Sequence, residues 1–539
     1  MNRFILLILM LITLNACKNE VTQKEETAKV VAVTTTNKSD YYQEAYRPQF
    51  HFSPAANWMN DPNGMVFFDD EYHLFYQYYP DSTVWGPMHW GHAVSKDMVS
   101  WEHLPIALYP DELGYIFSGS AVVDWNNTSG FGKDGQPPLI AIFTHHEPKG
   151  AADENINDYQ YQSIAYSNDK GRTWTKYEGN PVVPNINKIK DFRDPKVVWN
   201  EDSKQWVMVF AAYDHLKFYG SPNLKDWTHL SDWGHQYGAH GGVWECPELY
   251  PTTVEGTGEK KWGLIVSLNP GSPNSGSGTQ YFVGDFDGKN FKLDPQFAKD
   301  VPKGKGLWLD YGRDNYAGVT FSDIPKEDGR RLFMGWMSNW DYAQVVPTEK
   351  WRSAATIPRS MILKKTKDGY RVYSQPIKEL EKLRGKSANI TGTSLTGTLE
   401  ISKNKGINTT LSEVILTAEN HTANSKFGVA ITNSKGEIYR IGYDAAKNQY
   451  FSDRTKAGKS AFSEKFAASI HPAPRLSTDK TIKLHVFFDA ASAELFADDG
   501  ATVMTDIFFP TEDFNQLSLF SEGGEVQVKG KIYELNDVW

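Results

Sequence analysis

From about residue 46 to 365 the chain runs in short stretches of alternating aromatic or β-branched and polar residues, broken repeatedly by Gly, Pro, Asn and Asp. A period of two is that of half-buried strands, and almost nothing in this region has helical period. "VFFDDEYHLFYQYY" (66–79) predicts a hairpin joined at Asp69-Asp70-Glu71. A degenerate unit then recurs: "SKDMVSW" ends at Trp101, "SNDKGRTW" at Trp174, "SPNLKDW" at Trp227 and "DFDGKNF" at Phe291. Each is a turn, an aromatic and a strand-like stub, and the intervals of 73, 53 and 64 residues suit one four-stranded blade plus loops. With a remainder from 305 to 365 containing "RLFMGWMSNW", five blades are predicted. "SQPIKELEKLRG" (374–385) places Ile377, Leu380 and Leu383 at helical spacing before Gly385 and predicts a helix. Beyond it "EVILTAEN", "KFGVAITN", "TIKLHVFFD", "SAELFADDG" and "GEVQVKGKIYEL" alternate again, the pattern of an antiparallel sandwich. The expected fold is therefore all-β: a five-bladed propeller over 46–370, a helical hinge over 371–388 and a β-sandwich over 389–539.

The N-terminus departs from this pattern. Met1-Asn2-Arg3, an apolar run from Phe4 to Leu14 and Asn15-Ala16-Cys17 form a secretory signal over residues 1–17, too brief to span a bilayer. "LNAC" resembles a bacterial lipobox, which implies acylation of Cys17; Lys18 after it points to the outer membrane. Residues 18–45 are polar, charged and Thr-rich and read as a flexible tether. Hydrophobic residues make up 40% and charged residues 23% of the chain, as in a folded soluble protein. The net charge of −10 leaves no basic stripe, so nucleic acid and polyanionic substrates are not expected partners. The 14% aromatic content suits stacking on sugar rings as well as it suits strands.

Three acidic islands lie in aromatic, Pro and Gly surroundings instead of charge runs: "NWMNDPNG" (57–64), "DFRDP" (191–195) and "WECPEL" (244–249). A propeller gathers its inner strands around one channel, so Asp61, Asp194 and Glu245 can converge at its mouth. Glycoside cleavage needs such a set, with one carboxylate to attack the anomeric carbon or activate water and another to protonate the leaving oxygen. Cys246 has no histidine paired with it in sequence and reads as structural. No spacing among the 14 histidines resembles a zinc motif, so no metal or other cofactor is predicted.

The motifs "WMNDPNG", "FYQYYP", "WGPMHWGHAVSKDMVSWEHLPIAL", "FSGSAV", "FRDPKV", "WECPELY", "LDYGRDNYAG" and "WRSAATIPR" resemble, in order, those of glycoside hydrolase family 32, the invertases, inulinases and levanases. The resemblance continues through "AELFADDGATVMTDIFFP" and covers about residues 46–539. It implies a retaining cleavage of β-fructofuranosyl bonds, with Asp61 as nucleophile, Glu245 as acid/base and Asp194 as transition-state stabiliser. It further implies that Asn60, Gln77, Trp85, Phe117 and Ser118 line the fructosyl subsite; Arg193 stands between a pocket contact and a structural ion pair. The expected substrate is a fructan, levan or inulin, with sucrose also possible. Two other readings stay open: a fructosyltransferase using the same residues, and a non-catalytic fructan-binding lipoprotein.

Overall fold

The computed structural model describes residues 42–539. The signal, Cys17 and nearly all of the tether lie outside the described residues. Among those described, no helix is long and apolar enough to cross a membrane.

Five sheets, each built on four antiparallel strands in sequence order from the centre outward, form the propeller, and the first and fifth each gain one further two-residue strand. The inner strands are Asn57–Phe68, Tyr115–Val123, Phe192–Asn200, Val243–Thr253 and Tyr316–Thr320. Trp351–Arg352, from the fifth-blade segment, pairs in parallel with Asn57 and Trp58 and closes the ring. Burial falls outward: Asn57–Phe68 is buried over most of its length, whereas the outer strand of that blade, Glu102–Leu108, is mostly half-buried. Polar residues buried on the inner strands need partners, as Lys196 and Glu248 supply for each other at 3.1 Å.

The recurring sequence unit is the turn between the third and fourth strands of a blade. Ser95, Ser167 and Ser221 hydroxyls accept from the backbone N–H of Met98, Gly171 and Asn223. The indole N–H of Trp101, Trp174 and Trp227 then donates to the carbonyl of Met98, Gly171 and Leu224. Those three acceptor residues all have positive φ, which lets the chain double back under the indole. The Phe291 ring has no N–H to give, and in blade four the Asp287 carboxylate closes the turn on the Asn290 backbone N–H instead. The predicted hairpin at 66–79 turns on two left-handed residues, Asp69 and Asp70, with Glu71 already paired to Phe68.

The expected helix over 374–385 is corrected by the structure. A strand runs to Pro376, and only a 3₁₀ turn, Lys378–Leu383, follows before the strand Arg384–Glu400. Ile377, Leu380 and Leu383 are three residues apart, and at three residues per turn all fall on one face, where they are buried.

In the sandwich one long strand, Gln516–Leu535, serves both halves of a ten-stranded sheet. Residues 516–522 pair with Lys426–Thr432, and residues 527–534 pair with Ser412–Glu419. The bend between them folds the sheet over a core that includes Val414, Leu416, Val429, Ile441, Val486, Phe488, Leu519 and Val526. The sandwich is joined to the propeller by buried ion pairs. Arg359 lies between Asp310, at 3.0 Å, and Glu494; Arg454 pairs with Asp314 at 2.6 Å. His51 bridges Asp489 at 2.6 Å and Glu494 at 2.9 Å, and these two acids hold its proton up to about 9 despite burial. Asp310 and Asp314 of "LDYGRDNYAG" and Arg359 of "WRSAATIPR" thus belong to the domain interface.

Candidate active site

Each of the five inner strands carries a bulge in which two residues oppose one: Asn60-Asp61, Phe117-Ser118, Asp194-Pro195, Cys246-Pro247 and Ala317-Gly318. A bulge re-aims side chains and leaves ladder positions unpaired, so a proline is accommodated there. Pro195 of "RDP" and Pro247 of "ECP" sit within their bulges, whereas Pro62 of "NDP" directly follows its bulge, in register with Tyr76. Asp194 (φ 66°), Cys246 (φ 45°) and Ala317 (φ 52°) take left-handed conformations within their bulges. The strain is held by the surrounding blades.

The bulges bring the three acids to one cleft of about 300 Å³ at the channel mouth. Asp61 is buried, and both of its oxygens are engaged. Ser118 Oγ donates to Oδ2 at 2.6 Å, and Asn60 Nδ2 donates to Oδ1 at 3.0 Å. Trp58, fully buried, orients Asn60 through its indole N–H at 2.7 Å. Glu245 receives a hydrogen bond from Arg193 at 2.9 Å on one oxygen and from the Tyr316 hydroxyl on the other. Asp194 accepts the backbone N–H of Cys246 at 3.0 Å, and its own N–H donates to Thr144 Oγ1 at 2.9 Å. Arg193 also pairs with Asp191, so it is both a wall of the cleft and a link among three carboxylates.

All nine residues proposed from sequence line this cleft: Asn60, Asp61, Gln77, Trp85, Phe117, Ser118, Arg193, Asp194 and Glu245. Gln77 stands opposite the Asn60-Asp61 bulge and is fixed by donating to the Ile116 carbonyl at 3.0 Å. Trp85 is 37% exposed and meets Phe117 edge to face, while Phe117 stacks on His146 at 4.1 Å. His146, Tyr159, Gln160, Asp191, Trp340 and Gln344 complete the lining and were not singled out from sequence. Tyr159 ends the stretch 147–159, which begins with a short helix, Pro148–Ala151, capped by Glu147.

Cys246 does more than pack. Its thiol lies 3.3 Å from Asp61 Oδ2 and 3.7 Å from Asp194 Oδ2. Burial and the charges of Asp61 and Asp194 push its pKa well up. It therefore stays a thiol and a hydrogen-bond donor, not a thiolate nucleophile. Burial, opposed by Arg193 but reinforced by Glu245 and Asp61, pushes Asp194 up to about 7. The folded chain thus keeps a proton that an unfolded aspartate releases near pH 4, and stability falls as pH rises from about 4 to 7. Asp194→Asn removes the buried charge and is expected to raise the unfolding free energy at pH 8 by about 1–3 kcal/mol, with less effect at pH 4. Urea unfolding at both pH values checks this; an unchanged or lower stability at pH 8 would contradict it.

A propeller whose channel mouth gathers three carboxylates from three blades, beside an arginine, a tyrosine and an aromatic wall, defines a glycoside-cleaving site. Residues 51–376 match the glycosyl hydrolases family 32 N-terminal domain and residues 379–534 the family 32 C-terminal domain. The chain belongs to glycosyl hydrolase family 32. It is 50% identical over 506 residues to a levanase of Bacillus subtilis (strain 168), covering 93% of this chain and 72% of that protein. It is 40% identical over 525 residues to an extracellular exo-inulinase of Aspergillus awamori, covering 92% and 96%. The crystal structure of exo-inulinase from that fungus superimposes with a TM-score of 0.84 at 38% identity, covering 92% of this chain and all of that one. A β-fructofuranosidase of Schwanniomyces occidentalis complexed with fructosyl-erythritol gives 0.82 at 33% identity, covering 93% and 99%.

Proposed function

We propose that Asp61 attacks C2 of a terminal fructosyl unit while Glu245 protonates the departing oxygen. The chain is a glycosidase that hydrolyses fructans, in a family that retains configuration. The observation that carries the residue assignment is the set of donors around the two acids. Ser118, Asn60 and the Cys246 thiol hold Asp61 as an oriented carboxylate, with one face open to the cleft. Arg193 and Tyr316 clamp Glu245 beside it. In the first step the C2–O bond breaks as the Asp61–C2 ester forms, and the proton of Glu245 goes to the leaving hydroxyl. In the second, water attacks C2, Glu245 takes its proton and the ester carboxylate leaves, which restores the original configuration. Asp194 sits where fructosyl hydroxyls would donate to it, and once ionised its charge favours the oxocarbenium-like transition state.

Levan is the proposed preferred substrate, supported by the higher identity to a levanase than to exo-inulinases. Exo action is supported by the buried position of Asp61 at the base of a small cleft, which a chain end can enter. The test is incubation with levan, inulin and sucrose separately, with products resolved by chain length over time. Fructose alone, released fastest from levan, is expected. Early oligosaccharides would contradict exo action, products longer than the donor would establish a fructosyltransferase, and no product from any of the three would leave a binding protein.

Residues 1–45 carry a separate proposal: acylation of Cys17 anchors the enzyme to the outer membrane through the 18–45 tether, supported by the lipobox-like "LNAC". Labelled palmitate should enter the full-length chain in a bacterial host and be lost in Cys17→Ser. Equal labelling of both would sink the anchor.

A further inference from the structure

On the third and fourth blades, away from the cleft, an acid and three histidines meet. The turn at Tyr213 and Asp214 joins the strand Gln205–Ala212 to His215–Ser221, and the loop 234–242 leads into Val243–Thr253, the strand that carries Glu245. Asp214, His215 and His235 offer ligand atoms that all lie within 4.8 Å of one another. His215 Nδ1 is 3.6 Å from Asp214 Oδ1, and His240 Nδ1 is 3.8 Å from Asp214 Oδ2.

Two nitrogens of this cluster, His215 Nδ1 and His240 Nδ1, are buried and have no hydrogen-bond partner. For His240 the tautomer follows from its surroundings. Nε2 faces the carbonyls of Gly234 at 3.2 Å and Tyr237 at 3.1 Å, which can only accept. Nε2 therefore bears the hydrogen, and in the neutral ring Nδ1 presents a lone pair. The His240 side chain is only 10% exposed, so water is a poor substitute partner. A lone pair aimed at a carboxylate from inside the protein puts two acceptors face to face, an arrangement that a cation between them relieves. Backbone carbonyls on the far nitrogen are also what orients a metal-bound imidazole.

We propose that Asp214, His215, His235 and His240 bind one divalent transition-metal ion of the zinc class. Imidazole and carboxylate ligands suit such ions, and two ligands on a tetrahedral ion at about 2.1 Å stand about 3.4 Å apart. The 3.6 and 3.8 Å separations need little adjustment. His235 is exposed, stacks on His215 at 4.3 Å and can close on the ion by side-chain rotation. The bound ion would clamp the blade-three turn to the strand of the acid/base. That junction is already made by the Trp244 N–H donating to the Tyr213 carbonyl at 2.7 Å and by His240 packing on Trp244 at 4.9 Å. The role is structural, since none of the four residues lines the catalytic cleft.

The competing account is a protonated His240 paired with Asp214, which takes up no metal. The test uses the full chain without an affinity tag, stripped with a chelator and titrated with zinc chloride by calorimetry. One equivalent is expected to bind, with a melting temperature raised by about 2 °C or more at saturation. Affinity should fall at least tenfold in His235→Ala and at least a hundredfold in Asp214→Asn/His240→Gln, both variants still melting cooperatively without metal. If the double variant fails to fold, Asp214→Asn alone replaces it with the same requirement. No saturable uptake, or parental affinity in either variant, would overturn the proposal.

Discussion

Asp61→Ala is expected to lower kcat on levan by about 10⁴-fold or more, because no other group in the cleft can form the ester at C2. Asp194 is the nearest alternative, but the Cys246 N–H and the strained bulge hold it against a different edge of the site. Cys246 keeps its proton, and its thiol stands behind Asp61 as a donor to Oδ2. The fold should survive, since Asp61 contributes local hydrogen bonds with Ser118 and Asn60 and no link to the sandwich. Steady-state hydrolysis together with a thermal melt checks both halves. Turnover within tenfold of the parent would remove Asp61 from the mechanism.

Glu245→Ala should cost about 10²–10⁴-fold on levan, the usual worth of a positioned acid/base. The informative comparison is a fructosyl donor whose leaving group needs no proton, such as fructosyl fluoride. Its first step should be nearly normal in the variant while the second, which needs a base to activate water, remains slow. A burst of fluoride followed by slow turnover is therefore expected, and added azide, a nucleophile that needs no base, should restore turnover. Equal loss on both substrates, without a burst, would contradict the acid/base role. Arg193 and Tyr316 lose their shared partner in this variant, so part of the loss on levan reflects their reorientation.

Much of the active site was legible because its chemistry is written locally. Asp61, Asp194 and Glu245 each sit in an island without charge runs, and each is followed within two residues by a proline in, or directly after, a bulge of an inner strand. The blade repeat was legible because one device, a hydroxyl-capped turn under an indole, is used in blades one to three. Tyr316 was not, since a tyrosine within a strand reads as core and only the tertiary approach of blade five to blade four makes it a donor to Glu245. Cys246 was read as structural because its contacts with two carboxylates arise from a left-handed backbone that sequence spacing does not reveal. "LDYGRDNYAG" and "WRSAATIPR" belong to the family motif series, and the structure divides their duties: Tyr316 of the first reaches Glu245, while Asp310, Asp314 and Arg359 supply the buried ion pairs with the sandwich. The spacing of Ile377, Leu380 and Leu383 fits a 3₁₀ turn as well as a helix, and Pro376 together with the strand beginning at Arg384 leaves room only for the shorter one. The Asp214 and histidine cluster escapes any spacing rule because its members come from a turn on one blade and a loop leading into the next.

The central claim is that catalysis passes through an ester on Asp61. The most direct measurement is to mix Glu245→Ala with fructosyl fluoride, quench during the burst, digest and sequence by mass spectrometry. The mechanism predicts one added fructosyl residue, on the peptide containing Asp61, that disappears when azide is supplied. Donor consumption with no adduct, or an adduct on any other residue, would contradict it.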